Sequence, residues 1–274
     1  MDWSSDFIDR SPMLAPLAAA AELLRGCRDW PARDALQRIL TERAVRTAGG
    51  DLLRLVAPGG TDRPYEQRIR TDGEMPVRER DWHDLFNVLV WATYPRAKAA
   101  LNDAHVTRDQ TRIARRCDSL PDSERGAIRD ALTLFDENGA IVLSSDGGLL
   151  DDLRAFRWKR LFQARREEVK RTMRFYLFGH ALFEKALRPY IGMTAHAILL
   201  EMDPKRVAAP AGYPVNTLDD LVAEAVSTLD APRALAPLPV LGVPGWWPEN
   251  ERAEFYDNEA YFRTGRRGVS RPPR

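Results

Sequence analysis

Residues 81–105 read DWHDLFNVLVWATYPRAKAALNDAH. From Leu85 to Trp91 the run is apolar around nearly its whole circumference, and a helix without a polar face belongs in the middle of a protein. Asp81 is placed to cap this helix, with Asp84 at its third position in a variant of the capping box that Glu or Gln usually fills. Pro95 forces Tyr94 out of the helical region and starts a second short helix running to about His105. The fold is therefore expected to pack around a buried helix whose entrance carries His83, Asp84 and Asn87. On the second helix Lys98, Asn102 and His105 fall at i, i+4 and i+7, a polar stripe, while Ala97, Ala100, Leu101 and Ala104 form the packing face.

Upstream of this centre, Ser11-Pro12 reads as a helix start, and the apolar run 13–24 follows it as a first helix. Pro31 opens another over 32–46, with Leu36, Ile39 and Leu40 on its inner face. Two short strands are expected at 52–56 and 65–70, around the loop Pro58-Gly59-Gly60. Downstream, Asn138-Gly139 stands between the apolar runs 132–135 and 141–144, the strongest short-range signal for a β-hairpin with a type I′ turn. A helical region is expected over 149–187, its later half carrying Met173, Tyr176, Leu177, His180, Glu184 and Leu187 on one face. Thr194 to Met202 reads as a further helix carrying His196, and 218–229 as an amphipathic one. The prolines of PLPVLGVPGWWP (237–248) forbid a central strand, and Trp246-Trp247 need an apolar seat. The fold class read from this pattern is α+β, predominantly helical: a single domain over 1–262 with one small β-hairpin (131–145) packed on helices, then a disordered basic tail over 263–274.

The composition sets limits. In 274 residues with 44% hydrophobic content a sizeable core is expected, and a formal net charge of +1 gives no global field toward nucleic acid or an anionic membrane. Two cysteines, Cys27 and Cys117, without CxxC spacing exclude a disulfide framework and a cysteine-rich zinc module, so a cytoplasmic location is expected. The run 13–24 is too short for a membrane span and follows Asp2, Asp6 and Asp9 instead of a basic segment, which excludes a signal peptide. No GxGxxG, P-loop, GxSxG or HExxH motif occurs.

The blocks WHDLFNVLVWATYPRAKAALNDAH, LTLFDENGAIVL, FYLFGHALFEKAL with GMTAHAILLE, and PLPVLGVPGWWPEN with FYDNEAYFR together resemble the bacterial domain-of-unknown-function family 3025, in the same order from about Tyr65 to Arg263. The resemblance implies a bacterial cytoplasmic protein and a single domain. It implies no reaction and no catalytic residue.

All four histidines, His83, His105, His180 and His196, fall in segments expected to be helical. His180 and Glu184, one turn apart on an apolar face, are costly to bury unless they pair or hold something. Neutral imidazole with a carboxylate is a usual ligand set for zinc, manganese or iron, and i, i+4 spacing lets two ligands converge; mutual hydrogen bonding is the plainer explanation. His83 and Asp84 read as helix caps, or as a base and ligand pair at a helix end that favours an ionised carboxylate. Asp136-Glu137 reads as turn chemistry. The candidate catalytic set is His83, Asp84, His180 and Glu184. Asn87, Lys98, Asn102 and His105 are candidates for substrate binding, and His83, His180 and Glu184 for a divalent metal. The expected function is that of an enzyme using metal-assisted or acid/base chemistry, hydrolase-like, on a small polar or phosphorylated substrate, with no membrane partner. The alternative is a non-catalytic protein whose basic runs 108–116 and 154–174 and basic tail meet nucleic acid or an acidic partner.

Overall fold

The computed structural model describes residues 2–114, 122–207, 214–229 and 231–265, with the side chains of 108–114 and 122–128 left aside. Its helices in chain order are α1 (Ala18–Ala21), α2 (Arg33–Glu42), α3 (Tyr65–Asp72), α4 (Trp82–Thr93), α5 (Pro95–Ala114), α6 (Asp122–Asn138), α7 (Gly147–Arg154), α8 (Arg166–Thr172), α9 (His180–Ala186), α10 (Pro204–Val207) and α11 (Val215–Ser227). The strands are β1 (Arg54–Val56), β2 (Glu74–Pro76), β3 (Gly139–Ser144), β4 (Met173–Leu177), β5 (Thr194–Glu201) and β6 (Ala236–Pro239). Short 3-10 turns and one π-helical stretch, Lys159–Ala164, fill the connections. The chain is α+β and mostly helical.

Helix α4 is the buried axis. Every one of its residues except His83 and Asp84 is buried. Asp81 caps it by accepting from the Asp84 amide at 3.0 Å, and Tyr94 leaves helical geometry ahead of Pro95. Helix α5 then starts under a cap from far along the chain: Asp219 of α11 accepts from the amides of Arg96 and Ala97 at 2.9 and 2.8 Å. The carboxylate satisfies two amides that the helix itself leaves without partners.

Two sheets accompany the helices. β1 and β2 pair in parallel, with α3 as their crossover. The strand expected over 65–70 is thus a helix, stopped by Gly73 in the left-handed conformation at φ +64, where it satisfies the carbonyls of Arg68 and Ile69. The larger sheet has the order β4-β3-β5-β6, with β3 parallel to β5 and the two outer pairings antiparallel. All six residues of β3 are buried, as expected of a central strand. The prolines of β6 sit at the sheet edge, where their missing amides do no harm.

The expected hairpin does not form. Residues 131–138 belong to α6, with Ala131, Leu132 and Phe135 buried on one face, and the chain passes from Asn138 straight into β3. Long-range packing overrides the Asn-Gly signal: Gly139 is required for close approach, since a Cβ there would lie 2.2 Å from the Phe135 carbonyl. The helix expected through 149–187 is broken as well. Residues 173–177 extend into β4 because they pair with β3 from Ser144–Met173 to Ala140–Leu177. His196 lies on β5, opposite Gly139 on one side and Pro237 on the other. The run expected as a first helix is a chain of 3-10 and short α turns, interrupted by Pro16, which has no amide to donate.

The core is one continuous cluster running from Phe7 to Phe262 and including all the larger apolar residues of α4. Asn250 ties down the segment after β6 by donating to the carbonyls of Leu241 and Val243, and Trp246 meets the ring of Phe175 edge-on. Of the expected tail, Arg263 lends its carbonyl to the Trp158 indole at 2.8 Å, and residues 266–274 lie outside the described residues. No helix among the described residues is long and apolar enough to cross a membrane.

Candidate metal centre

Three segments meet at the entrance of α4. His83 comes from its first turn, His180 from the first turn of α9, and Asp136 and Glu137 from the last turn of α6. Two glycines make the meeting close. The amides of Phe178 and Gly179 both donate to the Gly139 carbonyl, at 2.9 and 3.0 Å, and a Cβ on Gly179 would lie 2.4 Å from the Glu137 carbonyl oxygen. The end of α6 and the start of α9 are thereby backed onto each other.

His180 is 3% exposed. Its Nδ1 lies 2.9 Å from the backbone carbonyl of Asp136, which can only accept, so Nδ1 carries the proton and Nε2 presents its lone pair. That lone pair points at His83 Nε2, 3.1 Å away. On the far side of His83, Nδ1 faces Glu184 Oε2 at 3.4 Å. Glu137 Oε2 stands 3.6 Å from His180 Nε2, and donor atoms of His83, Glu137 and His180 all lie within 4.8 Å of one another. Burial holds His180 neutral by lowering its pKa to about 4, against the opposing pull of Asp136. Burial raises Glu137, while His83 opposes.

The carboxylate that shares the space between the imidazoles is thus Glu137, not Glu184 as the sequence spacing suggests. With one turn of α9 between them, His180 and Glu184 point to opposite sides of His83: one in front of Nε2, the other behind Nδ1. Asp84 does not join the pair. It receives the amide and guanidinium of Arg78 at 2.7–3.0 Å, which hold its pKa down although burial pushes the other way.

The polar stripe of α5 opens on a second space behind His180. Lys98, 4% exposed, donates to Asp136 Oδ1 at 2.5 Å, and despite burial this ammonium keeps the Asp136 pKa low. Asn102 donates to both the carbonyl and the carboxylate of Glu66, at 2.9 and 2.5 Å, and burial raises the Glu66 pKa to about 7. Asn87 donates to the Tyr65 hydroxyl at 2.9 Å, and His105 lines the same recess. His196 stands on β5 opposite Gly139, with its pKa lowered by burial, and is not one of the three grouped ligands. Asp136, Glu137 and Glu66 were missed by the sequence reading. Asp136 and Glu137 were hidden in a turn-like DENG, although Ala131, Leu132 and Phe135 already carry the helical period that places both on α6.

A family model described as a protein of unknown function (DUF3025) matches residues 54–266, a span that contains all of these groups. The chain belongs to the DUF3025 family. No curated protein matches it, and no solved structure does. For this DUF3025 chain the site must therefore be read from its own chemistry.

The basic run 154–174 is largely engaged internally. Arg157, Arg160 and Arg165 converge on the buried Asp152, Arg166 bonds Asn250 and Glu251, and Lys170 pairs with Glu167. The side chains of 108–116 lie outside the described residues.

Proposed function

We propose that this DUF3025 protein is a metal-dependent hydrolase acting on a small polar or phosphorylated substrate, its metal held by His83, His180 and Glu137. The observation that carries the reading is that ligand atoms of His83, Glu137 and His180 lie within 4.8 Å of one another, with His180 Nδ1 bonded to a carbonyl and His83 Nδ1 facing the Glu184 carboxylate at 3.4 Å. With the His83 proton drawn to Nδ1 by Glu184, both Nε2 lone pairs, on atoms 3.1 Å apart, are available to a cation; with that proton on Nε2, the two rings share a hydrogen bond. A tetrahedral zinc with bonds of about 2.0–2.1 Å sets neighbouring donors roughly 3.3 Å apart, close to the spacing found here. An imidazole backed on its other nitrogen by a carbonyl or carboxylate is the usual support of a metal-ligating histidine.

Two histidines and one glutamate leave a fourth position open, the pattern of catalytic and not structural zinc. His180 is buried, whereas His83 and Glu137 remain about one-third exposed at 32% and 35%, so a metal that they held would be accessible from solvent. A metal held by these residues would supply a hydroxide near neutral pH and would polarise the oxygen of a phosphoryl or carbonyl group. Glu184 would hold the His83 ring by its Nδ1, and the Asp136 carbonyl would do the same for His180.

Metal analysis of purified protein and cobalt titration against a chelator test the reading. Zinc, manganese or cobalt at one equivalent, lost in Glu137→Gln and His180→Ala and kept in Asp84→Asn, is the expected result. A wild type that binds none of these metals, or whose metal survives both ligand variants, would overturn it. Hydrolysis of phosphomonoesters and small amides with and without metal then separates the substrate classes.

A further inference from the structure

The recess behind His180 has unused hydrogen-bonding capacity of a definite kind. Its polar lining is Tyr65, Glu66, Lys98, Asn102, His105 and Asp136, and Trp91 and Leu101 close it on the apolar side. Both amide protons of Asn102 go to Glu66 oxygens, one of them a backbone carbonyl that can only accept, so the amide cannot be turned over. Its Oδ1, on a residue 2% exposed, is left without a partner. An unpaired buried acceptor is costly, and native interiors rarely leave one. Lys98 has three N–H bonds and gives one to Asp136, with the Trp91 ring 5.6 Å from its nitrogen. The recess is thus lined by one residue with a spare donor and one with a spare acceptor.

A cation there would meet the Lys98 ammonium, and an anion would meet Glu66 and Asp136. A neutral oxygen that both accepts and donates satisfies both sides. The space open to the centre of a water molecule is about 10 Å³, room for one such oxygen and no more. We propose that this recess is a built site for a single resident water, which accepts from Lys98 Nζ and donates to Asn102 Oδ1. The water joins the Glu66–Asn102 pair to the Lys98–Asp136 pair, completing a hydrogen-bonded path from α3 to the carboxylate of Asp136, the residue whose backbone carbonyl faces His180 Nδ1. The site is independent of the metal reading: it stands or falls on its own.

The test is a crystal structure of the wild-type protein, grown without polyols at a resolution that shows ordered water. One peak within hydrogen-bonding distance of both Lys98 Nζ and Asn102 Oδ1 is expected. An empty recess, or a peak touching only one of the two, overturns the proposal. In solution, magnetisation transfer from water to the side-chain amide protons of Asn102 should appear and should vanish in Lys98→Met. Transfer of equal size in that variant would show exchange through bulk solvent and count against a resident site.

Discussion

Two imidazoles whose Nε2 atoms meet at 3.1 Å share either a proton or a cation, and the second case gives single substitutions a sign. His83 is partly exposed, so His83→Ala is expected to leave the melting temperature of the chelator-treated protein unchanged or slightly higher. Zinc should raise the wild-type melting temperature and leave that of the variant where it was; calorimetry of both, with and without metal, reads the difference. A second sign concerns pH. Glu66, raised to about 7 from 4.5, contributes stability that is full below 4.5 and lost as pH rises through 7. His180, lowered to about 4, contributes stability that is full above 6.5 and lost as pH falls through 4. The two slopes oppose each other between 4.5 and 6.5. Relative to wild type, Glu66→Gln should therefore gain stability as pH rises from 4.5 to 7, and above pH 7 the variant should exceed wild type by up to about 3 kcal/mol. Urea melts of metal-free protein across this range would show it, and parallel curves for the two proteins would refute it. The histidines were legible in the sequence because an ionisable group inside an apolar run is conspicuous. Glu137 was not, because in DENG a carboxylate looks like ordinary turn chemistry.

Among the elements, the contact of α6 with α9 is the one that sets the site. Gly179→Ala would place a Cβ 2.4 Å from backbone atoms of both Glu137 and Gly139, which no side-chain rotation can relieve. A loss of about 2 kcal/mol or more is expected from such overpacking, together with weaker cobalt binding, since Glu137 and His180 must separate. Equilibrium unfolding and cobalt titration of the variant check both effects, and a fall in stability without any change in cobalt affinity would detach the glycine contact from the site. The α5 cap gives a cleaner local case: Asp219→Ala should cost about 1–2 kcal/mol by leaving the amides of Arg96 and Ala97 unpaired. Why α4 was legible and β4 was not follows from the same physics. Helix α4 is apolar all round and carries its own cap, so its state is written locally. MRFYL is equally compatible with a helical face, and only pairing with β3 decides it. The Asn-Gly signal failed in the opposite direction, a strong local preference overruled by the need for a residue without a side chain against Phe135.

At the scale of the whole molecule, the fold class was legible from composition and periodicity, whereas the topology of the four-stranded sheet was not. Its central strand β3 is paired with residues from 29 to 57 positions further along the chain, and no local pattern records such pairings. A metal joining α4, α6 and α9 acts on the molecule as ligands do by binding only the folded state: at a free concentration a hundred times its dissociation constant it should add about 2.7 kcal/mol to the unfolding free energy.

The separation of His83 from His180 by 97 positions also dictates when such an ion could act. Bringing those side chains together requires closure of a long loop, which the chain must achieve through its own apolar contacts before any coordination rewards it. Such a centre would then be a late event of folding, absent from the transition state. Stopped-flow experiments in chelator and in zinc should accordingly give the same refolding rate and different unfolding rates, with zinc slowing only the second. The ion would act as a latch on a finished fold, keeping it shut without helping it to close.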